Sequence, residues 1–175
     1  MEMLIKGLTK YKNTYSTLNI FCYSTNGLPG LEIKIGSKNS RILKEKLVYI
    51  TRKSNTQIPI KRYVICVEEG ERALNKEEIK YLELPILILY WTMAKKLSFS
   101  RLDDCLCGGE ISLEGNIKPI CIRGEYLDYF NSVECTKIWK IISTKNQKEC
   151  LGLLRLPVEE ILLLPLLHKL KSIGS

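Results

Sequence analysis

The stretch Gly109-Glu-Ile-Ser-Leu-Glu-Gly-Asn-Ile-Lys-Pro119 decides the fold prediction, because it places a glycine turn between two apolar segments. Residues 106–113 and 117–120 have the composition of strands, and Glu114-Gly115-Asn116 between them is a turn signal. Strands that are joined by such a short turn usually pair with each other in antiparallel fashion. The stretch therefore predicts a β-hairpin.

The segment before this hairpin is the most apolar part of the chain. Residues 84–96 predict a helix that is apolar on all sides until its basic end. Pro85 suits the first turn of a helix, and Lys95 and Lys96 suit the C-terminal end, where the helix dipole favours cations. Its apolar part is about half as long as a membrane span requires. We therefore expect a central helix that is covered on most faces, and no contact with a membrane.

Further towards the N-terminus, residues 14–24 and 31–35 predict two strands, which the turn signal at residues 26–30 joins into a second hairpin. Residues 37–52 predict an amphipathic helix, with an apolar side formed by Ile42, Leu43, Leu47 and Ile50. The remaining predictions are a loop at 54–60, a strand at 61–67, a loop with a helix at 68–80, a helix at 126–131, a strand at 137–142, a helix at 145–150, a strand at 153–156 and a helix at 158–171. Strands come first as hairpins and then alternate with helices, which predicts the α+β class.

Length and composition indicate one folded domain. The chain has 175 residues, of which 45% are hydrophobic, so it can bury a core. The formal net charge of +8 favours an anionic partner such as nucleic acid, an acidic protein or anionic lipid, although Lys- and Ile-rich background usage is an alternative explanation. No secretory signal is visible at the N-terminus, which predicts a cytoplasmic protein.

The seven cysteines do not form a metal-binding pattern. No C-x-x-C pair is present, and the only histidine, His168, lies far from the closest pair, Cys105 and Cys107. We interpret the cysteines mostly as small buried hydrophobic residues of a reducing compartment. The sequence predicts neither a metal site nor a cofactor.

Four segments resemble one protein family in matching order and spacing. They are Thr25-Asn-Gly-Leu-Pro-Gly-Leu-Glu-Ile33, Ile58-Pro-Ile-Lys-Arg-Tyr-Val-Ile65, Leu82-Glu-Leu-Pro-Ile-Leu87 and the hairpin at residues 109–119. They resemble segments of the N-terminal domain of bacterial magnesium-chelatase-like AAA+ ATPases of the ComM/YifB type, and the hairpin segment is the most specific of them.

The resemblance extends from about residue 14 to residue 172 and implies a single domain over residues 1–175. It implies the ribosomal protein S5 domain 2-like fold, which the Lon protease domain shares, with a mixed sheet packed against helices. It also implies a function in DNA uptake, recombination or repair. Gly27, Pro29, Gly30 and Gly115 are interpreted as residues that supply turn geometry.

The chain lacks the motifs of the catalytic relatives. The segment Gly30-Leu-Glu-Ile-Lys-Ile-Gly-Ser-Lys38 has the wrong glycine spacing for a phosphate-binding loop, and its serine precedes the lysine. A Lon-type peptidase uses a serine nucleophile and a lysine base. At the positions that the resemblance implies, this chain has Lys80 and Arg123, and an arginine cannot act as a general base. We therefore expect no catalytic residues.

Basic side chains are concentrated between residues 34 and 62. The candidate nucleic-acid-binding residues are Lys34, Lys38, Arg41, Lys44, Arg52, Lys53, Lys61 and Arg62. A helix with a basic side next to basic strand ends can follow a phosphate backbone, and tyrosines within and near this region, among them Tyr49 and Tyr63, would stack on bases. The alternative is an ordinary solvated surface.

The sequence therefore predicts a non-catalytic Lon-like accessory or scaffold domain that acts by association. Its candidate partners are nucleic acid, a separate AAA+ ATPase and further copies of the chain. Two alternatives stay open, namely a diverged Lon-like hydrolase (a peptidase) with a non-standard site that uses Lys80 or a serine whose position is not assigned, and a degenerate remnant of a longer ATPase.

Overall fold

The structure is a computed structural model that describes residues 2–36, 39–70, 72–120, 122, 138–145 and 153–162. This part of the chain is of the α+β class, with one seven-stranded mixed sheet, one two-stranded sheet and four helices. In chain order the elements are β1 Glu2–Tyr11, β2 Thr14–Thr25, β3 Gly30–Lys34, α1 Ser40–Lys53, β4 Arg62–Val67, α2 Lys76–Tyr81, α3 Glu83–Met93, β5 Cys105–Cys107, β6 Gly109–Ile111, β7 Ile117–Pro119, β8 Lys140–Ser143, β9 Leu154–Pro157 and α4 Val158–Ile161.

The large sheet has the strand order β3-β4-β2-β1-β5-β8-β9. Strand β2 pairs antiparallel with β1 and with β4, whereas β3–β4, β1–β5, β5–β8 and β8–β9 are parallel pairs. The N-terminal strand β1 therefore lies in the middle of the sheet. The sequence did not predict this strand. Its residues 5–9 are all buried, and Ile5 and Leu8 belong to different core clusters, so both faces of the strand are covered.

The predicted hairpin between β2 and β3 is wrong, because β4 lies between these two strands in the sheet. The chain passes from β3 through α1 to β4, and a helical connection of this length returns the chain to the same end of the sheet, so that β3 and β4 pair in parallel. The turn residues themselves are confirmed, since Gly27 and Gly30 have φ angles of 144° and 152°. They steer the chain across the end of β4 instead of closing a hairpin.

The apolar central helix is confirmed, but its predicted basic end is wrong, because the helix ends at Met93 and Lys95 lies beyond it with a φ of 59°. Every residue of α3 is buried, and Pro85 lies in the first turn of this helix. Helix α3 contacts β1 and β2 on one side and the β6–β7 hairpin on another. That hairpin is also confirmed for residues 109–119, with Glu110 opposite Lys118 and with Gly115 at a φ of 90° in its turn. Residues 106 and 107, predicted as part of its first strand, belong instead to β5 of the large sheet.

Helix α1 is confirmed, but its apolar side differs from the prediction. Leu43, Leu47, Ile50 and Thr51 are its buried residues, while Ile42 is 67% exposed. The buried residues follow the i, i+4, i+7, i+8 spacing of one helix face, and Ile42 precedes that stripe by one residue, which rotates it by about 100°. An apolar side chain therefore lies on the outer surface next to Arg41.

The prediction that the cysteines are buried is confirmed for Cys22, Cys105 and Cys107, which lie in the core. These three residues and Cys66 have free thiols. The predicted strands at 61–67 and 153–156 correspond to β4 and β9, and α4 is the start of the predicted helix at 158–171. The predicted helices at 126–131 and, apart from Lys145, at 145–150 lie outside the described residues, as does the rest of the last helix. No helix within the described ranges is long and apolar enough to cross a membrane.

Candidate interface on the β3–α1–β4 layer

Seven of the eight predicted basic residues lie in one layer at the edge of the large sheet, formed by β3, α1 and β4. Lys38 lies outside the described residues. Because β3 and β4 are parallel, α1 runs back along the layer: Lys34 and Arg41 belong to one end, and Arg52 and Arg62 to the other. Arg41 and Arg52 are about 16 Å apart along the helix axis.

The layer does not present these residues on one continuous surface. Leu31 and Ile33 of β3 share the buried core with the inner side of α1, so α1 covers that face of the sheet. Since side chains alternate along a strand, Glu32 and Lys34 point to the opposite face. Arg62 joins them there, because its register partner is Gly30. The predicted basic residues are therefore divided between two surfaces.

The sheet-face group is partly neutralised by Glu32. Arg62 Nη2 lies 2.5 Å and Lys34 Nζ lies 3.8 Å from the carboxylate oxygens of Glu32. The hydrogen bond from Arg62, with the positive charges of Lys34 and Lys44 nearby, lowers the pKa of Glu32. Lys34 and Arg62 are therefore weaker candidates for an anionic ligand than the sequence suggested.

The outer side of α1 is the stronger candidate. Arg41, Glu45, Tyr49 and Arg52 are exposed at i, i+4, i+8 and i+11, with Ile42 beside them. Within the described ranges, the side chains of Arg41 and Arg52 form no hydrogen bond or ion pair, so their guanidinium groups are available to a ligand.

Lysines on the flanks of α1 are more constrained. Lys44 is half-buried. Lys53 Nζ donates a hydrogen bond to the carbonyl oxygen of Leu113 at 3.1 Å and lies 5.7 Å from the centre of the Tyr49 ring. Tyr49 thus combines an exposed ring with an adjacent cation, the arrangement that stacking on a base uses. Tyr63 is not available for stacking, because it is buried with its ring 5.3 Å from that of Tyr90.

Lys46 turns inward and forms a part-buried ion pair that the sequence did not indicate. Its Nζ lies 2.7 Å from both carboxylate oxygens of Glu83, the first residue of α3. The backbone N–H of Ile111 donates to the same carboxylate at 2.9 Å. A single carboxylate at the start of an otherwise apolar helix was the sequence signal that could have indicated a buried partner.

A cleft of about 340 Å³ opens at the end of the layer where α1 ends and β3 begins. Residues of β3, of α1 and of the 56–61 loop line it, together with Tyr90 of α3. Its apolar lining includes Leu31, Val48, Ile58 and Pro59, and its charged lining residues are Arg52 and Lys61. This cleft joins two predicted basic residues to an apolar depression that the sequence alone did not indicate.

The residues considered for catalysis do not assemble into a catalytic site within the described ranges. Lys80 Nζ lies 3.9 Å from Glu110 Oε1, and the preceding turn of the helix contains no serine. Arg123 lies outside the described residues. Ser112 Oγ accepts the backbone N–H of Asn116 at 3.2 Å and so belongs to the turn of the β6–β7 hairpin. The described side chains also include no group of three or more His, Cys, Asp or Glu residues that could hold a metal ion.

Comparison of the sequence with protein-family models and with curated proteins found no match. Functional inference for this chain therefore depends on the residues and on the geometry of the β3–α1–β4 layer.

Proposed function

We propose that this chain is a non-catalytic Lon-like domain that acts by association and contacts nucleic acid through the outer side of α1. The observation that carries the nucleic-acid contact is the pair of exposed guanidinium groups of Arg41 and Arg52, which flank the exposed ring of Tyr49 on one helix side. The mixed sheet, the buried helix α3 and the β6–β7 hairpin support a fold of the ribosomal protein S5 domain 2-like type.

The contact would be electrostatic and independent of sequence. Arginine donates bidentate hydrogen bonds to phosphate oxygens, and two arginines about 16 Å apart on one helix side engage separate phosphates. Tyr49 adds a ring on which an unpaired base stacks. We identify no side-chain set on α1 suited to reading base edges, so affinity depends on counterion release and falls steeply with salt.

The wider role that we propose follows from the resemblance of the four sequence segments. It is an accessory or scaffold role in the cytoplasm, in DNA uptake, recombination or repair. The chain would assemble with its own copies or dock onto a separate AAA+ ATPase, since the sequence contains no phosphate-binding loop.

Fluorescence anisotropy with labelled single-stranded and double-stranded DNA at two salt concentrations tests the nucleic-acid contact. The variant Arg41→Glu with Arg52→Gln lowers the charge of the outer side of α1 by three units. The matched control, Lys10→Glu with Lys12→Gln, makes the same charge change at the β1–β2 turn. An acidic residue near the start of a helix is favourable, so Arg41→Glu preserves the fold.

We expect wild type and control to bind alike. The α1 variant should bind at least about tenfold more weakly at low salt, and its plot of log K against log salt should be less steep by about two. An equal loss in both variants would mean that net charge, and not α1, determines binding. No binding of the wild type at low salt would remove the proposal.

A further inference from the structure

The cleft at the end of the β3–α1–β4 layer has the chemistry of a peptide-binding site. Its volume of about 340 Å³ lies at the low end of the roughly 300–1,000 Å³ that ligand pockets occupy. Aliphatic side chains and Pro59 supply most of its contact surface, while Arg52 and Lys61 are its charged groups. Among the residues that the structure describes, no carboxylate lines the cleft, so both charges attract an anionic ligand.

Two nearly fully exposed apolar side chains extend this surface. Leu28 is 89% exposed and Ile60 is 86% exposed. Their loops are joined where the N–H of Gly30 donates to the carbonyl oxygen of Lys61 at 3.0 Å. An apolar cleft with exposed apolar residues and a basic rim is typical of a surface that a partner covers.

The walls of the cleft are held by their own hydrogen bonds. The C-terminal end of α1 is closed by Ser54, whose Oγ donates to the carbonyl oxygen of Thr51 and lies 2.8 Å from Thr56 Oγ1. The backbone N–H of Thr56 also donates to Thr51, and that of Lys61 donates to Pro59. A preformed cleft loses little conformational entropy when a ligand binds.

We propose that this cleft docks an acidic–apolar segment of a partner protein, with an aliphatic side chain in the cleft and carboxylates paired with Arg52 and Lys61. The site rests on the proposed role of the chain as an association domain. It shares Arg52 with the proposed nucleic-acid contact, but lies at the opposite end of α1 from Arg41. Charge complementarity identifies the acidic component, and the aliphatic lining identifies the apolar one.

The lining argues against an inserted nucleotide base. Bases bind to exposed aromatic faces, and the aromatic ring at the cleft, that of Tyr90, is only 6% exposed and packs edge-on against Tyr63. An aliphatic side chain such as that of leucine fits the cleft better than a base does. It is stabilised by contact with the aliphatic lining on all sides and needs no aromatic ring to stack on.

The test uses the full chain and a displayed library of random twelve-residue peptides. The cleft variant is Ile60→Ser with Lys61→Glu. The matched control is Ile42→Ser with Arg41→Glu, which makes the same apolar-to-polar and charge changes at the other end of the layer. Both isoleucines are exposed, so neither variant removes core packing.

We expect peptides selected on the wild type to be enriched in Leu, Ile or Val together with Asp or Glu. Synthetic copies of these peptides should bind the control with the same affinity as the wild type. They should bind the cleft variant at least about tenfold more weakly. Selected peptides without that enrichment, or with equal binding to both variants, would overturn the docking site.

Two further outcomes assign the cleft to other ligands and overturn the proposal. The first is self-association of the wild type in sedimentation experiments without peptide, provided that only the cleft variant loses it. The other is single-stranded DNA binding that the cleft variant loses while the control keeps it. Loss of DNA binding in the control alone leaves the proposed nucleic-acid contact and the peptide site as separate findings.

Discussion

Lys46 Nζ lies 2.7 Å from both carboxylate oxygens of Glu83, so that one part-buried ion pair joins α1 to α3. The backbone N–H of Ile111 donates to the same carboxylate and adds the β6–β7 hairpin to this junction. Burial raises the pKa of Glu83, while the hydrogen bonds from Lys46 and Ile111 act against that rise. The layer that carries the candidate interface is therefore attached to the core by a desolvated charge pair.

Removal of one partner of this pair should be costly. We expect Lys46→Met to lower the free energy of unfolding by about 3–5 kcal/mol, because Glu83 would be left buried without its cation. Lys80→Met is the control, since Lys80 and Glu110 are 3.9 Å apart and partly exposed, and its loss should cost less than about 1 kcal/mol. Urea denaturation measures both changes. Equal effects would show that the burial of Glu83 does not control the outcome.

Thr51 has a second role besides its position in α1. Its Oγ1 donates to the carbonyl oxygen of Leu47 at 2.7 Å and accepts the indole N–H of Trp91 at 3.1 Å. We expect Thr51→Val to lower the free energy of unfolding by about 1–3 kcal/mol, because the buried indole N–H loses its acceptor. Thr92→Val is the matched control: Thr92 is buried and bonds to Ile88, but accepts no indole. Denaturation of the two variants should show the smaller loss for Thr92→Val.

Gly108 permits the close approach of β1 and β5. A Cβ at this position would lie 2.2 Å from the backbone oxygen of Leu8, which cannot move without a shift of the central strand. We expect Gly108→Ala to cost about 3 kcal/mol. Gly70→Ala should stay within about 1 kcal/mol of the wild type, because nothing lies within 4 Å of a Cβ there. Thermal unfolding by circular dichroism compares them, and similar melting temperatures would contradict the strand contact.

Glu78 should make stability depend on acid pH. The hydrogen bonds from Arg72 are the main cause that lowers the pKa of Glu78 below its ordinary value of 4.5. The unfolded chain therefore takes up the proton first, so the stabilisation is present above that value and is lost as the pH falls through the lowered pKa. Glu78→Gln should remove this part of the acid dependence, whereas Glu77→Gln, which alters an exposed neighbour, should preserve it. Unfolding measured between about pH 3 and pH 6 distinguishes them.

Local patterns in the sequence predicted the elements better than their arrangement. The apolar segment around Pro85 and the glycine turn at Gly115 determine local structure through residue type, and both predictions are confirmed. The pairing of β3 with β4 depends on where α1 returns the chain, which no local pattern records. Ile42 shows the same limit, since periodicity places it near the apolar stripe and only packing reveals the exposed side.

The candidate interface was predicted as a group of residues and not as a surface. Alternation along β3 separates Lys34 from Arg41, and the charge of Arg62 is paired with Glu32 across two strands. The cleft could not be predicted at all, because Leu31, Tyr90 and Lys61 come together there only after three separate elements pack. The number of charged residues can thus be read from a sequence, whereas the fold determines which of these side chains a ligand can reach.

The central position of β1 also affects how the chain acquires its structure. Strand β1 pairs first with β2 across a two-residue turn, but its other partner, β5, is reached only a hundred residues later, where Gly7 pairs with Cys107. During synthesis the future middle of the sheet therefore remains an open edge until β5 has emerged from the ribosome, and open edges recruit other chains. Expression at lower temperature, or with chaperones that shield such edges, should raise the yield of folded protein more than any change at the edge strand β3.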